Sequence, residues 1–209
     1  MWKRLLAILG LTFIATGQLS AGSYNAVLSI GDSMPEFENL PSVSGKPLSS
    51  SDLKSDVVVM VSLANHCPWV QGMDSQLVEL AASVADKNVE VVGFSVNHRE
   101  DDRLPAMKEH AREHGYTFSY IYDESQALGR ALGATRTPEY FVFNKERKLV
   151  YMGLLTNSPA KKGRSGNITF INGEPNIFYV SDAITATLAG KPVAVSETRA
   201  HGCTVKYEG

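Results

Sequence analysis

Two residues of this 209-residue chain can carry sulfur chemistry, Cys67 and Cys203. Cys67 sits in the stretch SLANHCPWVQGMD, Ser62 to Asp74, directly before Pro68. A proline at the first helical position puts the residue before it at or beside the N-cap. Free backbone N–H groups and the positive helix end there stabilise a thiolate and lower a cysteine pKa. Such a thiolate attacks disulfides and peroxides. His66 adds positive charge or a hydrogen bond to the sulfur, or else points to solvent. The competing reading of Cys67 is a small apolar filler, because free cysteine is among the most buried residue types. Cys203, in HGCTVKY behind Gly202, has three readings: it resolves an oxidised Cys67, closes a permanent disulfide with it, or stays separate.

The other ionisable residues give no comparable pattern. His110 and His114 are one helical turn apart, but no adjoining Cys, Asp or Glu completes a zinc set with them or with His98 and His201. They read as helix surface, and no metal and no organic cofactor is expected. With 22 acidic against 20 basic residues and a net charge of −2, no basic footprint for nucleic acid exists. Lys161, Lys162 and Arg164 read as a solvated loop.

Positioning Cys67 requires a strand before it and a helix after it. DVVVMVSLA, Asp56 to Ala64, is apolar and β-branched throughout, as a strand buried on both faces must be. Val70, Met73, Leu77, Leu80, Ala81 and Val84 then recur at helical steps. VEVVGFSV, Val89 to Val96, is a second buried strand, and Arg103 to Gly115 a helix with a glycine stop. YTFSYIYD is a short extended piece in which Tyr116, Phe118, Tyr120 and Tyr122 alternate as one strand face does. ESQALGRALGA is a further helix; PEYFVFN and KLVYMGLL are two strands joined at Lys145 to Lys148. Val180 to Leu188 forms the last helix. The lead-in, Tyr24 to Leu53, predicts a small hairpin (Glu36 to Leu40 with Lys46 to Leu48) and a helical turn at Ser51 to Leu53. Strands alternating with helices imply parallel crossovers, closed by an antiparallel hairpin.

ANHCPWV after a buried strand, ESQALGRALGATRTPEYFVFNKERKLVYMG, LAGKPVAVSETR and GCTVKY together resemble the peroxiredoxin-like (AhpC/TSA, redoxin) branch of the thioredoxin superfamily. The likeness runs from about Ile30 to the C-terminus. It implies an α/β thioredoxin-like fold, a central mixed sheet with helices on both faces. Residues 157–179 become a long loop insertion and 191–209 a C-terminal tail. It implies a thiol oxidoreductase, antioxidant or thiol-disulfide exchanging, with Cys67, His66 and Cys203 catalytic. Thr137 and Pro138 resemble the threonine and cis-proline that hold an extended substrate chain; Pro68 and Arg136 lie at the same site, Arg136 as an anion or thiolate partner or a surface residue. Partners would be protein thiols or disulfides, or peroxide, with an external thiol as reductant.

Two departures bear on the chemistry. Branch members often read C-N-H-C, and Ala64 stands where the first of those cysteines belongs, so a dithiol cycle within that motif is impossible. The peroxidatic pattern P-x-x-x-[ST]-x-x-C finds Met60 and Ala64 in place of its proline and hydroxyl. A single active-site cysteine is therefore expected, or, if turnover is lost, a module that binds extended peptides.

The N-terminus has Lys3 and Arg4, an apolar run from Leu5 to Ala15 and a small residue at Ala21, the three parts of a signal peptide over residues 1–21. The run is too short for a membrane span of roughly 20 residues. Export to a periplasm or the extracellular space, without stable membrane insertion after cleavage, is the expectation; an uncleaved membrane anchor is the alternative, because Leu19 fits an A-x-A cleavage site poorly. A single domain over 22–209 remains.

Overall fold

The computed structural model describes residues 22–209; the expected signal peptide lies outside them. In chain order, the first elements are β1 (Val57–Ser62), α1 (Pro68–Val84), β2 (Val89–Ser95), α2 (Leu104–Glu113) and β3 (Ser119–Tyr122). There follow α3 (Ala127–Leu132), β4 (Arg136–Thr137), β5 (Glu139–Phe143) and β6 (Leu149–Gly153). The chain ends with β7 (Ala160–Lys162), β8 (Ile168–Phe170), α4 (Tyr179–Leu188) and β9 (Cys203–Thr204).

The main sheet has the order β3-β2-β1-β5-β6. β1 is buried at all six positions. It runs parallel to β2 and antiparallel to β5, as the mixed thioredoxin-like sheet requires. The steps β1 to β2 and β2 to β3 go the same way across the sheet, so right-handed crossovers put α1 and α2 on one face. Val57, Val59 and Val61 accordingly pack in one cluster with Leu77 of α1, Met107 of α2 and Ile184 of α4. α3 carries the chain back past β1 to β5 and lies on the other face. There Val58 and Met60 meet Leu128 and Leu132 together with Phe37 and Leu53 of the lead-in. The alternation of β1 side chains between two filled layers is why its sequence has no polar face.

The lead-in hairpin forms, with Leu40 bridged to Leu48, and its helical turn is a 3-10 turn at Ser50–Asp52. Tyr120 and Tyr122 belong to the core with Tyr116 and Phe118 packed against it, although β3 begins only at Ser119. The segment 157–179 is not simply loop. It contains the antiparallel hairpin β7–β8, so Lys161 and Lys162 are strand residues, and Lys161 Nζ lies 5.4 Å from the centroid of the Trp69 ring. The periodicity of AKKGRSGNITF is too polar to announce a strand pair. The 191–209 tail also contains a strand, the two-residue β9. Among the described residues no helix is long and apolar enough to cross a membrane.

β7 is seated on α1 through a glycine. A helix interior tolerates glycine at a cost of about 1 kcal/mol relative to alanine, and Gly72 is retained because backbone approaches it. A Cβ there would lie 2.6 Å from the Ala160 carbonyl oxygen and 2.8 Å from Lys161 Cα. Neither atom is the free end of a side chain, so the hairpin would have to move. Gly72→Ala is expected to destabilise the protein by about 1–3 kcal/mol despite its better helix propensity. Urea unfolding checks this: an unchanged or higher midpoint would mean that the hairpin does not rest on the helix.

Candidate functional site

Cys67 is the N-cap of α1, with extended backbone angles (φ −77°, ψ 119°) and Pro68 at the first helical position. The turn that delivers it is tied down from several sides. Cys67 N–H donates to the Ala64 carbonyl at 3.0 Å. Asn65 donates to the Asp101 carbonyl at 2.8 Å, accepts from Tyr120 Oη at 3.0 Å, and its own carbonyl accepts from Gln71 Nε2 at 2.7 Å. The end of β1 is also the point where the chain's path across the sheet reverses, the position at which open α/β sheets place their ligand sites.

Because β5 is antiparallel to β1, its first residue lies beside the last of β1, with Glu139 opposite Ser62. Thr137 and Pro138, joined by a cis peptide bond, are therefore carried to Cys67. The Cys67 thiol donates to the Thr137 carbonyl at 3.2 Å. The buried Glu139 carboxylate accepts the N–H groups of Thr135 at 2.7 Å and Arg136 at 3.0 Å, fixing the segment in front of the proline. Burial raises the Glu139 pKa, and these two N–H groups oppose the rise.

The second sulfur comes from the tail. β9 pairs antiparallel with β4, placing Arg136 opposite Thr204 and Thr137 opposite Cys203. Both cysteines are free thiols, Cys67 fully buried and Cys203 half-buried. The tail comes so close that a Cβ on Gly202 would fall 2.1 Å from the Thr137 oxygen. The backbone edge expected to receive an extended substrate is thus paired with the chain's own C-terminal segment. That segment is held along its length. Val205 N–H donates to Thr135 at 3.0 Å, Tyr207 Oη to Ala134 at 2.7 Å, and Glu208 N–H to Gln126 Oε1 at 2.8 Å. His98 bridges the Glu208 carboxylate at 2.6 Å and the Glu124 carbonyl at 2.8 Å. Hydrogen bonding to Glu208 raises the His98 pKa.

These contacts decide the protonation of the pair. The Cys203 thiol, as hydrogen-bond donor, pulls the Cys67 pKa down to about 6; burial works against it. The Thr137 hydroxyl, Val70 N–H and Cys203 N–H add to the lowering. Val70 N–H faces the sulfur from the first helical turn without closing a full capping bond. Cys203 moves the other way, raised by its bond to Cys67 and then by burial. The arrangement favours one thiolate, on Cys67, with the proton kept on Cys203.

His66 takes a different place from the one nearest to it in sequence. Its Nδ1 lies 2.5 Å from Asp102 Oδ2, and its N–H donates to Asp102 Oδ1 at 3.3 Å. Asp102 is fully buried. His66 thereby anchors the turn before Cys67 to the loop after β2. Arg136 hydrogen-bonds Thr204 through its guanidinium, so it clamps β9. Trp69 meets His201 edge to ring at 4.4 Å between centroids. Asp102, Glu139 and Gln126 carry no motif in the sequence. Only the adjacency of Glu139 to Thr137-Pro138 offered a signal.

His110 and His114 are not simply helix surface. They stack at 4.1 Å between ring centroids, and Asp74 of α1 lies against both.

A family model described as Redoxin matches residues 29–166. No curated protein matches the chain. An uncharacterized conserved protein from Geobacillus kaustophilus is similar in structure with a TM-score of 0.76 at 32% identity, over 88% of this chain and 95% of that one. A hypothetical protein from Sinorhizobium meliloti 1021 is similar at 0.75 and 26% identity, over 88% and 97%. The peroxidoxin BcpB of Mycobacterium tuberculosis shares the fold at 0.51 and 19% identity, over 77% and 94%.

A pH titration of thiolate absorbance tests the electrostatics. One thiolate is expected to appear with a midpoint of about 6, so that it is present at pH 7 and lost on acidification. In Cys203→Ala the principal donor is gone and the midpoint rises. A wild-type midpoint at the free-cysteine value of about 8.5 would refute the assignment.

Proposed function

Since the chain belongs to the redoxin family, we propose that it is a thiol-dependent oxidoreductase whose working unit is the dithiol–disulfide couple of Cys67 and Cys203. The observation that carries this reading is the convergence of both cysteines on Thr137: the Cys67 sulfur lies 3.2 Å from its carbonyl oxygen, and Cys203 stands opposite it in the β4–β9 pair. Cys203 supplies what Ala64 cannot, a second sulfur beside the first.

The cycle balances as two thiol–disulfide exchanges. The Cys67 thiolate attacks a substrate disulfide, forming a Cys67–substrate disulfide and releasing the first substrate thiolate, which takes a proton from solvent. Cys203 loses its proton and attacks Cys67. The Cys67–Cys203 disulfide forms and the second substrate thiolate leaves with that proton. The substrate is reduced by two electrons and the protein oxidised. An external dithiol reverses this change, or the oxidised protein passes its disulfide to a reduced partner. Disulfide exchange is preferred to peroxide reduction because Met60 and Ala64 replace the proline and hydroxyl that would support a bound peroxide. Cys67 is the attacking sulfur and Cys203 the resolving one, since the lowered pKa belongs to Cys67. Thr137 and Pro138 shape the sulfur site. His66, Pro68 and Arg136 position its parts: the turn, the helix start and the tail. A polypeptide substrate must first displace β9 from β4, so a peptide-binding module is the less supported reading. Residues 1–21 make export the expected route to an oxidising compartment, where such a couple cycles between its two states.

Trapping separates the roles. After exposure to glutathione disulfide, intact-mass analysis is expected to find the wild type lighter by two hydrogens, with no glutathione retained. Cys203→Ser should accumulate one glutathione on Cys67, and Cys67→Ser should form neither product at a comparable rate. Equal oxidation in Cys67→Ser, or no adduct in Cys203→Ser, would sink the proposed couple.

A further inference from the structure

A second group of ligating side chains lies along α1, seven residues after Cys67 and therefore about 10 Å further down the helix. Asp74 is 4% exposed. Its Oδ1 accepts the Tyr116 hydroxyl. Its Oδ2, equally buried, accepts no hydrogen bond. What faces that oxygen is His114 Nδ1 at 3.0 Å and His110 Nε2 at 3.5 Å, both from α2. One donor atom from each of the three residues lies within 4.8 Å of the others. A buried carboxylate oxygen without a donor is costly, and two imidazoles stand ready beside it without meeting it in hydrogen-bond geometry.

We propose that Asp74, His110 and His114 form a binding site for a divalent transition metal of the zinc class, which clips α1 to α2. Ligands at 2.0–2.1 Å around a tetrahedral ion are about 3.3 Å apart, and the two carboxylate–imidazole separations lie on either side of that value. Two nitrogens and one carboxylate oxygen suit zinc or its late first-row neighbours; calcium and magnesium want all-oxygen sets. Tyr116 is the outer partner that orients the carboxylate, as hydrogen-bonded groups behind metal ligands do. Loading turns the two rings out of their stack toward one centre, and His110 Nε2 gives up its 3.3 Å contact with Tyr116 Oη. His110 has a 10% exposed side chain and His114 a 30% exposed one, so the ion enters past His114, where solvent supplies the remaining ligand. No sequence spacing announces this site, because its carboxylate comes from another helix.

Zinc titrated calorimetrically into the full chain tests the site, together with the shift in thermal unfolding. One ion per chain is expected, with a raised unfolding temperature. The Cys67→Ser/Cys203→Ser double variant should bind zinc as the wild type does, which separates this site from any capture by the two thiols and from the redox proposal. His114→Ala, a change at a partly exposed residue, should abolish both signals. Tyr116→Phe should weaken binding roughly 10- to 100-fold. Absence of binding in the wild type, its loss with the cysteines, or its survival in His114→Ala would each overturn the proposal.

Discussion

Ser62 stands opposite Glu139 in the antiparallel pair of β1 and β5, and the sulfur centre depends on that register. The pairing puts the start of one strand beside the end of another. Cys67 can then lie five residues after one and Thr137 two before the other, in contact. Register in a sheet buried on both faces resists slippage, because a shift of one residue would exchange the inward-facing sets of side chains. Val58 and Met60 pack to one side of β1 and Val57, Val59 and Val61 to the other, so the hydrophobic layers on both faces hold the geometry of the site. Glu139 then does two jobs from one position. Its backbone begins β5, and its buried carboxylate gathers the N–H groups that precede Pro138.

The tail is positioned differently, by many weak contacts in place of one strong register. β9 is only two residues long, and a pair of that length is not stable by itself. Its placement is shared among Val205, Tyr207 and Glu208, which fasten to Thr135 and Ala134 after α3 and to Gln126 before it. Gln126 serves from a left-handed backbone position (φ 61°) just before that helix. Its amide donates both to the Val96 carbonyl at 2.8 Å and to Lys206 at 3.2 Å. The loop after β2 and the tail are thereby joined to one side chain, and Cys203 is held at Thr137 as a consequence.

Elements whose information is local were legible in the sequence. The unbroken run Val57 to Ser62 can only be a strand covered on both sides, and Pro68 marks the start of α1 and so the N-cap place of Cys67. What could not be read is what depends on pairing across long separations. Lys161 and Ile168 carry no apolar alternation, and β7–β8 exists because α1 offers Gly72 as a seat. His66 sits next to the cysteine in sequence, but its ring finds a carboxylate 36 positions away in Asp102. Asp74 and the pair His110 and His114 likewise belong to separate helices whose approach is set by two successive crossovers. Side-chain direction, which spacing alone does not fix, decides each of these cases.

Access and activation are opposed at Cys67, and both are governed by the tail. Burial alone would push a thiol pKa upward. The lowering comes first from the Cys203 thiol and includes the Cys203 N–H, so two of the favourable contacts travel with β9. A tail lifted away uncovers the sulfur and removes its principal hydrogen-bond donor at the same time. A tail in place keeps the thiolate and closes the Thr137 edge. In a C-x-x-C motif the second sulfur is fixed by the helix, one turn from the first, and such a conflict does not arise. With Ala64 at one end of that spacing and Cys203 136 residues on from Cys67, this chain makes the thiolate form of Cys67 a property of tertiary docking. A polypeptide that took the Thr137 edge would therefore have to displace β9 and, with it, the donors that hold the Cys67 thiolate.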